Sequence, residues 1–375
     1  MAEAEGRTGG ETWQYWNPVK VRFGIGAAAE LGAVIGGRSY ALVTYREPFF
    51  AALAERVARA AGPPAVTLDG IGANPDFTML DLACQGFAAA SPAPAVILAI
   101  GGGSVIDAAK VVAAARGDFG RVRRFLESGA GGAELAPLPL IAVPSTAGTG
   151  SEVTCWATAW DIQRAKKFSL ELLGLYPEQA VIDPALSANM PRALTISTAL
   201  DALSHALESL WNRNANPVST NHAIAAARLI LADLPLAAAA PDRLDLRARL
   251  ARAALLAGLA FSNTRTALAH ALSYPLTLRH GVPHGIACSF TLPLVMRGAL
   301  RIDRRCDAAL AQIFDGEPAG GPDRLAAFLH ALGVSTDPVD HGAERAEWEG
   351  LIDDAFAGAR GRNYIGSEAI IKAGG

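Results

Sequence analysis

The feature that most constrains this chain is a change of hydrophobic period part-way along it. Up to about residue 190, short apolar runs such as YALVTY and AVILAI alternate with Ala-rich segments of helical period such as AALAERVARAAG. Such alternation builds βαβ units, whose strands lie parallel because each crossover helix returns the chain to the same end of the sheet. From about Pro191 the strand pattern stops, and helical patterns rich in Ala and Leu take over: TALDALSHALESLW, TNHAIAAARLILADL and LRARLARAALLAGLAF. The expectation is an α/β domain with a parallel, Rossmann-like sheet over 13–190 and an all-α domain over 191–375. With 375 residues and 51% hydrophobic content, each has apolar material for its own core. Pro235, Pro241, Pro275 and Pro283 are expected to punctuate the helices. Residues 1 to about 12 read as a loose tail, and the final GARGRNYIGSEAIIKAGG has no period that assigns it.

Charge and cysteine usage exclude several classes. A net charge of -3 with no dense basic cluster argues against nucleic acid as a partner. Cys84, Cys155, Cys288 and Cys306 are far apart and form no C-x-x-C pair, so reduced, buried thiols in a cytoplasm are expected, with Cys288 in the core. The opening MAEAEGRTGGETWQ lacks an apolar signal core, and no uninterrupted apolar run approaches the roughly 20 residues of a membrane span. A soluble, cytoplasmic protein with no membrane partner is expected.

Within the helical half, Asp201 and His205 lie four residues apart, which puts a carboxylate and an imidazole on one helix face. His270 falls in a second helical stretch, LALAHALSYPL. Pro275 and the HGVPHG turn are expected to bring His284 back to the same point. One carboxylate and three imidazoles suit Fe(II) or Zn(II) and poorly suit Mg(II) or Ca(II). These four are the candidate metal ligands.

Glycine chemistry supplies the other half. APAVILAIGGGSVIDAAK reads as a buried strand, three glycines and a helix opened by Ser104 and Asp107. Gly101, Gly102 and Gly103 would let the phosphates of a dinucleotide approach the helix N-terminus without Cβ clashes, although a plain tight turn is the competing reading. PLPLIAVPSTAGTGSEVT is a second strand running into a hydroxyl-rich loop, where Thr146, Thr149 and Ser151 could bond phosphate or ribose.

GGGSVIDAAK, PSTAGTGSEVT, DALSHALES and HALSYPLTLRHGVPHG together resemble the iron-containing, or group III, alcohol dehydrogenase family, over most of the chain from WNPVKVRFGIGAAAELG to about residue 300. The resemblance implies the architecture shared with dehydroquinate synthase, with metal and nicotinamide meeting between the two domains. It implies Asp201, His205, His270 and His284 as metal ligands, and cofactor contacts from Gly102, Gly103, Ser104, Asp107, Thr146, Thr149 and Lys167, with Asn74-Pro75 matching the family's NP motif. A homodimer is the family-level expectation. Hydride would pass between NADH or NADPH and the carbonyl carbon of a small aldehyde, the ion polarising the oxygen.

Two departures bear on this. Relatives carry a second histidine, credited with proton relay, where this chain has Tyr274; its phenol could donate the proton or only pack against Pro275. Many NAD-specific relatives have an aspartate where this chain has Tyr45, followed by Arg46. Loss of that carboxylate removes repulsion of a 2′-phosphate, which Arg46 could bind, so NADPH is expected to be accepted; alternatively Arg46 is a solvated loop residue. His280 could support the site from behind or touch substrate.

The run FSNTRTALAHALSYPLTLRHGVPHGIACSFTLP, with TCWATAWD and KKFSL, looks most like the phosphonoacetaldehyde reductases of phosphonate natural-product pathways, which make 2-hydroxyethylphosphonate. Arg265 or Arg279 would then pair with the phosphonate of an anionic substrate. The alternatives are a general short-chain alcohol or aldehyde dehydrogenase of lactaldehyde or butanol type, a glycerol dehydrogenase or dehydroquinate synthase relative, and a catalytically idle family member.

Overall fold

The computed structural model of the protein describes residues 12–164 and 166–374, so most of the expected tail lies outside the described residues. Its large sheet joins β1 (Lys20–Phe23), β2 (Tyr40–Val43), β3 (Val66–Leu68), β4 (Val96–Gly101), β5 (Leu140–Pro144) and β8 (Gln179–Ile182). The strand order is β1-β8-β5-β4-β2-β3, and every neighbouring pair is parallel. Between β5 and β8 in sequence, β6 (Trp156–Asp161) and β7 (Lys166–Glu171) form a separate antiparallel hairpin. It arises from TCWATAWD and KKFSL, read above only as part of the family resemblance.

Every residue of β2, β4 and β5 is buried, because helices cover both sheet faces and a strand covered twice needs a continuous apolar run. On one face Ala41, Val43, Ile97 and Ala99 join the core beneath α3 (Phe77–Ala88) and α4 (Gly103–Ala115). On the other, Leu42, Leu98 and Val143 pack toward α1 (Leu31–Ile35) and α2 (Pro48–Ala61). Helix α4 is rich in alanine and buried from Val105 to Ala115 except at Asp107, which lets it lie between the sheet and the β6–β7 hairpin. The crossover after β2 leads to β3 on one side, and that after β4 leads through α5 (Phe119–Ser128) to β5 on the other. The carboxyl ends of β2 and β4 therefore part at a topological switch point, where open parallel sheets bind their ligands.

All remaining elements are helical and share one core: α6 (Arg192–Leu210), α7 (Pro217–Ala239), α8 (Leu244–Thr264), α9 (Leu268–His280), α10 (His284–Ser289), α11 (Leu292–Ala299), α12 (Arg304–Ile313), α13 (Gly321–Ala331), α14 (Arg345–Ala357) and α15 (Glu368–Gly374). Two proline expectations are corrected. Pro235 lies inside α7 and Pro275 inside α9 without ending either helix, and the reversal before His284 is made at Gly281–Pro283, with Gly281 at φ 68°. The surrounding packing outweighs the lost helical hydrogen bond.

Residues 15–17 do not stay with the sheet. Tyr15 donates its hydroxyl to the Leu259 carbonyl and Asn17 donates its amide to Ser262 Oγ, fastening residues 15–17 to α8. By length and composition helix α7 could cross a membrane, although Arg228 and Asp233 interrupt its apolar run. Half of its most apolar window is buried, and it packs against α6 and α8 with Asp233 paired to Arg249.

Candidate metal centre and nucleotide cleft

Helix α6 presents Asp201 and His205 one turn apart, α9 presents His270, and the first residue of α10 is His284. Their polar atoms converge on one oxygen. Asp201 Oδ1 lies 3.8 Å from His205 Nε2, 3.5 Å from His270 Nε2 and 3.9 Å from His284 Nε2. Gly285 permits this closeness, because a methyl group there would run into the Ser197 carbonyl of α6. His205 stacks on Phe261 at 4.0 Å between ring centres, fixing its plane.

Whether these residues fit a divalent ion is decided by two orphaned atoms. Asp201 Oδ1 and His270 Nε2 are buried and have no hydrogen-bond partner, a condition that polar groups in a closed interior rarely tolerate. Ligand atoms around a tetrahedral zinc at ~2.0–2.1 Å stand roughly 3.4 Å apart, close to the observed spacings. Charge agrees with geometry. Burial alone would raise the Asp201 carboxyl, but His205, His270 and His284 overcome it and hold the group ionised. Burial pushes His205 down to about 4 and His284 to about 3, against the pull of Asp201, so both are neutral and able to ligate at neutral pH. Burial also opposes charge on His270, yet Cys288, Glu208 and Asp201 raise it well above its ordinary value. Metal binding at His270 Nε2 would displace a proton.

Glu208, absent from the sequence reading, organises this centre. Its Oε2 lies 2.6 Å from His270 Nδ1 and accepts from the Ala267 N–H at 2.9 Å; its Oε1 accepts from the Ala269 N–H at 2.6 Å and the His270 N–H at 3.3 Å. One buried carboxylate thus caps α9 from outside and turns His270 Nε2 toward Asp201. Residues 201, 205 and 208 share one face of α6, so a signal for it existed. Cys288 is buried as expected, but its thiol lies 3.6 Å from His284 Nε2 and could approach the same ion.

The nucleotide candidates other than Lys167, which lies against Tyr274, gather at the switch point. A Cβ on Gly103 would stand 2.6 Å from Thr149 Cγ2, and one on Gly102 would stand 3.4 Å from Thr146 Cγ2 and 3.5 Å from Tyr45 Oη. The Gly101–Gly103 turn and the Thr loop therefore face each other at the N-terminus of α4, beside Tyr45. Ser104 Oγ accepts from the Asn74 N–H at 3.3 Å, bringing the Asn74-Pro75 turn to the same place. Asp107 and Ser151 are already engaged within the protein. Ser151 donates to Asp107 at 2.6 Å and accepts from buried Lys110 at 3.0 Å, and Asp107 also accepts from the Thr158 N–H, so both lock α4 to the hairpin. Arg46 is paired with Asp69 at 3.0 Å. A carboxylate therefore does stand beside this position, and the argument from its loss fails.

The expected substrate arginines both stand in ion pairs. Arg265 is an exposed α8 terminus paired with Glu171 at 2.5 Å. Arg279 and His280 both pair with Glu347 of α14. They lie nine and ten residues beyond His270, about 13–15 Å along the helix at 1.5 Å per residue. Tyr274 does reach the site, its ring parallel to His284 with centres 5.9 Å apart. Lys167 Nζ lies 3.7 Å from the Tyr274 ring centre, and Arg360, from the unassigned C-terminal stretch, lies 5.0 Å from it. Burial would raise the Tyr274 phenol, but Arg360 and Lys167 bring it below its ordinary value.

Comparison with known proteins points to one family. The family model for iron-containing alcohol dehydrogenase matches residues 18–184, and that for the C-terminal part of the Fe-containing alcohol dehydrogenase family matches 195–365. A phosphonoacetaldehyde reductase from Streptomyces viridochromogenes is 38% identical over 276 residues, 67% of this chain and 69% of that protein. An NAD-dependent methanol dehydrogenase from Bacillus methanolicus is 32% identical over 270 residues, 69% of this chain and 70% of that protein. Among solved structures, a sulfoacetaldehyde reductase from Bifidobacterium kashiwanohense in complex with NAD+ has a TM-score of 0.89 at 28% identity, covering 97% of this chain and 98% of that one.

Proposed function

The chain belongs to the iron-containing alcohol dehydrogenase family, oxidoreductases of alcohols and aldehydes, and from that premise we propose that it reduces phosphonoacetaldehyde to 2-hydroxyethylphosphonate with a nicotinamide dinucleotide and a divalent ion, Fe(II) or Zn(II). The observation that carries the reaction class is the convergence of three imidazole Nε2 atoms on the orphaned Asp201 Oδ1. The substrate rests on likeness: the names of the Streptomyces relative and the Bifidobacterium neighbour both denote a two-carbon aldehyde with an anionic head.

Bound at Asp201, His205, His270 and His284, the ion supplies Lewis acidity toward a carbonyl oxygen. The dinucleotide supplies the hydride. The chain's own residues do the rest. Gly102 and Gly103 hold α4's first N–H groups open to phosphate, and Thr146 and Thr149 face the same space. Glu208 holds His270 in one orientation. Tyr274, beside His284 and acidified by Lys167 and Arg360, holds the phenol proton that the alcohol needs as it forms. Asp69, next to Arg46, supports NADH over NADPH, since a carboxylate there repels a 2′-phosphate.

The test is consumption of NADH and NADPH by Fe(II)- or Zn(II)-loaded protein offered phosphonoacetaldehyde, lactaldehyde or butyraldehyde. A hundredfold preference in kcat/KM for the phosphonate, about 2.7 kcal/mol of discrimination, supports the reading. Equal turnover of neutral aldehydes leaves a general aldehyde reductase.

A further inference from the structure

We infer that Arg360, with Lys167 against the same Tyr274 ring, is the specificity device of this site: a cation pair that binds the anionic head of the aldehyde while its carbonyl faces the metal ligands. The inference rests on the aldehyde-reductase reading above and assigns the recognition to cations other than Arg265 and Arg279, which are paired with Glu171 and Glu347.

Three observations carry it. Both cations sit against one aromatic ring whose next neighbour is His284, so the positive charge lies one side chain away from the metal centre. Among the described residues no carboxylate forms an ion pair with Lys167 or Arg360, and nearby Glu171 is engaged by Arg265. Two like charges sharing a partly buried aromatic wall repel each other, and such a pair is stabilised by an anion between them.

Arg360 is also held in place for the task. Its Nε donates to Thr266 Oγ1 at 3.1 Å and one Nη to Ser169 Oγ at 3.2 Å. Both partners are neutral hydroxyls, which orient the planar guanidinium without quenching its charge. They come from the segment before α9 and from β7, so the C-terminal stretch, the hairpin and the metal-bearing helix meet at this one side chain. The other cations of the hairpin do not compete: Arg164 pairs with Glu127, and Lys166 lies exposed over Phe168. The substrate class is a short aldehyde with a tetrahedral or planar oxyanion group two bonds from the carbonyl carbon.

The test uses metal-loaded full-length protein and compares phosphonoacetaldehyde with 3,3-dimethylbutyraldehyde, whose head is tetrahedral but uncharged. Arg360→Ala and Lys167→Gln are each expected to lower the phosphonate-to-neutral ratio of kcat/KM at least a hundredfold, mainly through KM, with Arg360→Lys recovering part of it. Calorimetric titration of 2-hydroxyethylphosphonate should show at least tenfold weaker binding to Arg360→Ala. If the wild type prefers the phosphonate but both variants keep its ratio within threefold, the cation pair is overturned and the substrate reading survives. A wild type that prefers sulfoacetaldehyde, with the preference lost in Arg360→Ala, supports the pair and overturns the phosphonate. A wild type that prefers the uncharged aldehyde overturns both.

Discussion

Replacing Glu208 by glutamine probes the centre without touching a ligand. The carboxylate takes four donors, two on each oxygen: the Ala267 N–H and His270 Nδ1 on one, the Ala269 and His270 N–H groups on the other. Glutamine keeps the shape but offers one acceptor oxygen, so whichever way the amide turns, its NH2 faces two donors inside a closed core. Each buried donor left unpaired costs about 1–3 kcal/mol, and the variant is expected to lose about 2–6 kcal/mol of folding stability. His270 also loses the partner that fixes its ring, and such partners are worth roughly 10–100-fold in metal affinity, or about 1.4–2.7 kcal/mol. Urea melts of chelator-treated protein measure the first effect, and competition against a chromophoric chelator measures the second. A Glu208→Gln protein that melts like wild type and holds zinc within twofold of it would refute the assignment of Glu208 to capping and orientation.

Other consequences follow from the same geometry. His205 and His284 are held to about 4 and about 3 in the fold, against about 6.5 in an unfolded chain. The unfolded state therefore binds more protons below pH 6.5, and the stability these histidines contribute is present above 6.5 and lost as pH falls toward 4. His270, raised in the fold, adds a term of opposite sign that fades only as pH rises; thermal melts of metal-free protein between pH 7 and 4 should fall steadily, and a flat profile would count against neutral, buried imidazoles. Gly103→Ala would push a methyl group against Thr149 and should raise KM for the dinucleotide at least tenfold, with about 1–3 kcal/mol of destabilisation from overpacking; unchanged steady-state kinetics would remove this turn from the cofactor site. Asp69→Ala frees Arg46 and should shift the NADPH-to-NADH ratio of kcat/KM upward at least tenfold, a ratio that stays put showing that neither residue reads the ribose.

The sheet was legible where burial on both faces wrote itself as continuous apolar runs, as in YALV of β2 and VILAIG of β4. The metal candidates were legible because a four-residue spacing fixes two side chains to one helix face. What sequence hid was long-range pairing. Arg265 and Arg279 looked like cations waiting for an anion, but Glu171 and Glu347 take their charge from distant parts of the chain. Arg360 was invisible for the opposite reason: a short stretch without hydrophobic period carries it to Thr266 and Ser169. Asp107 and Ser151 matched a cofactor motif while their polar atoms are spent on each other and on Lys110. Prolines in α7 and α9 misled because tertiary packing outweighs a local break.

The central claim is tested most directly by stripping the protein of metal with a chelator, reloading it with Fe(II) or Zn(II), and following NADH oxidation with phosphonoacetaldehyde beside an Asp201→Asn variant treated identically. The account predicts activity that vanishes on stripping, returns with about one ion bound per chain, and does not return in the variant. Undiminished aldehyde reduction by the stripped protein, or by Asp201→Asn, would contradict it.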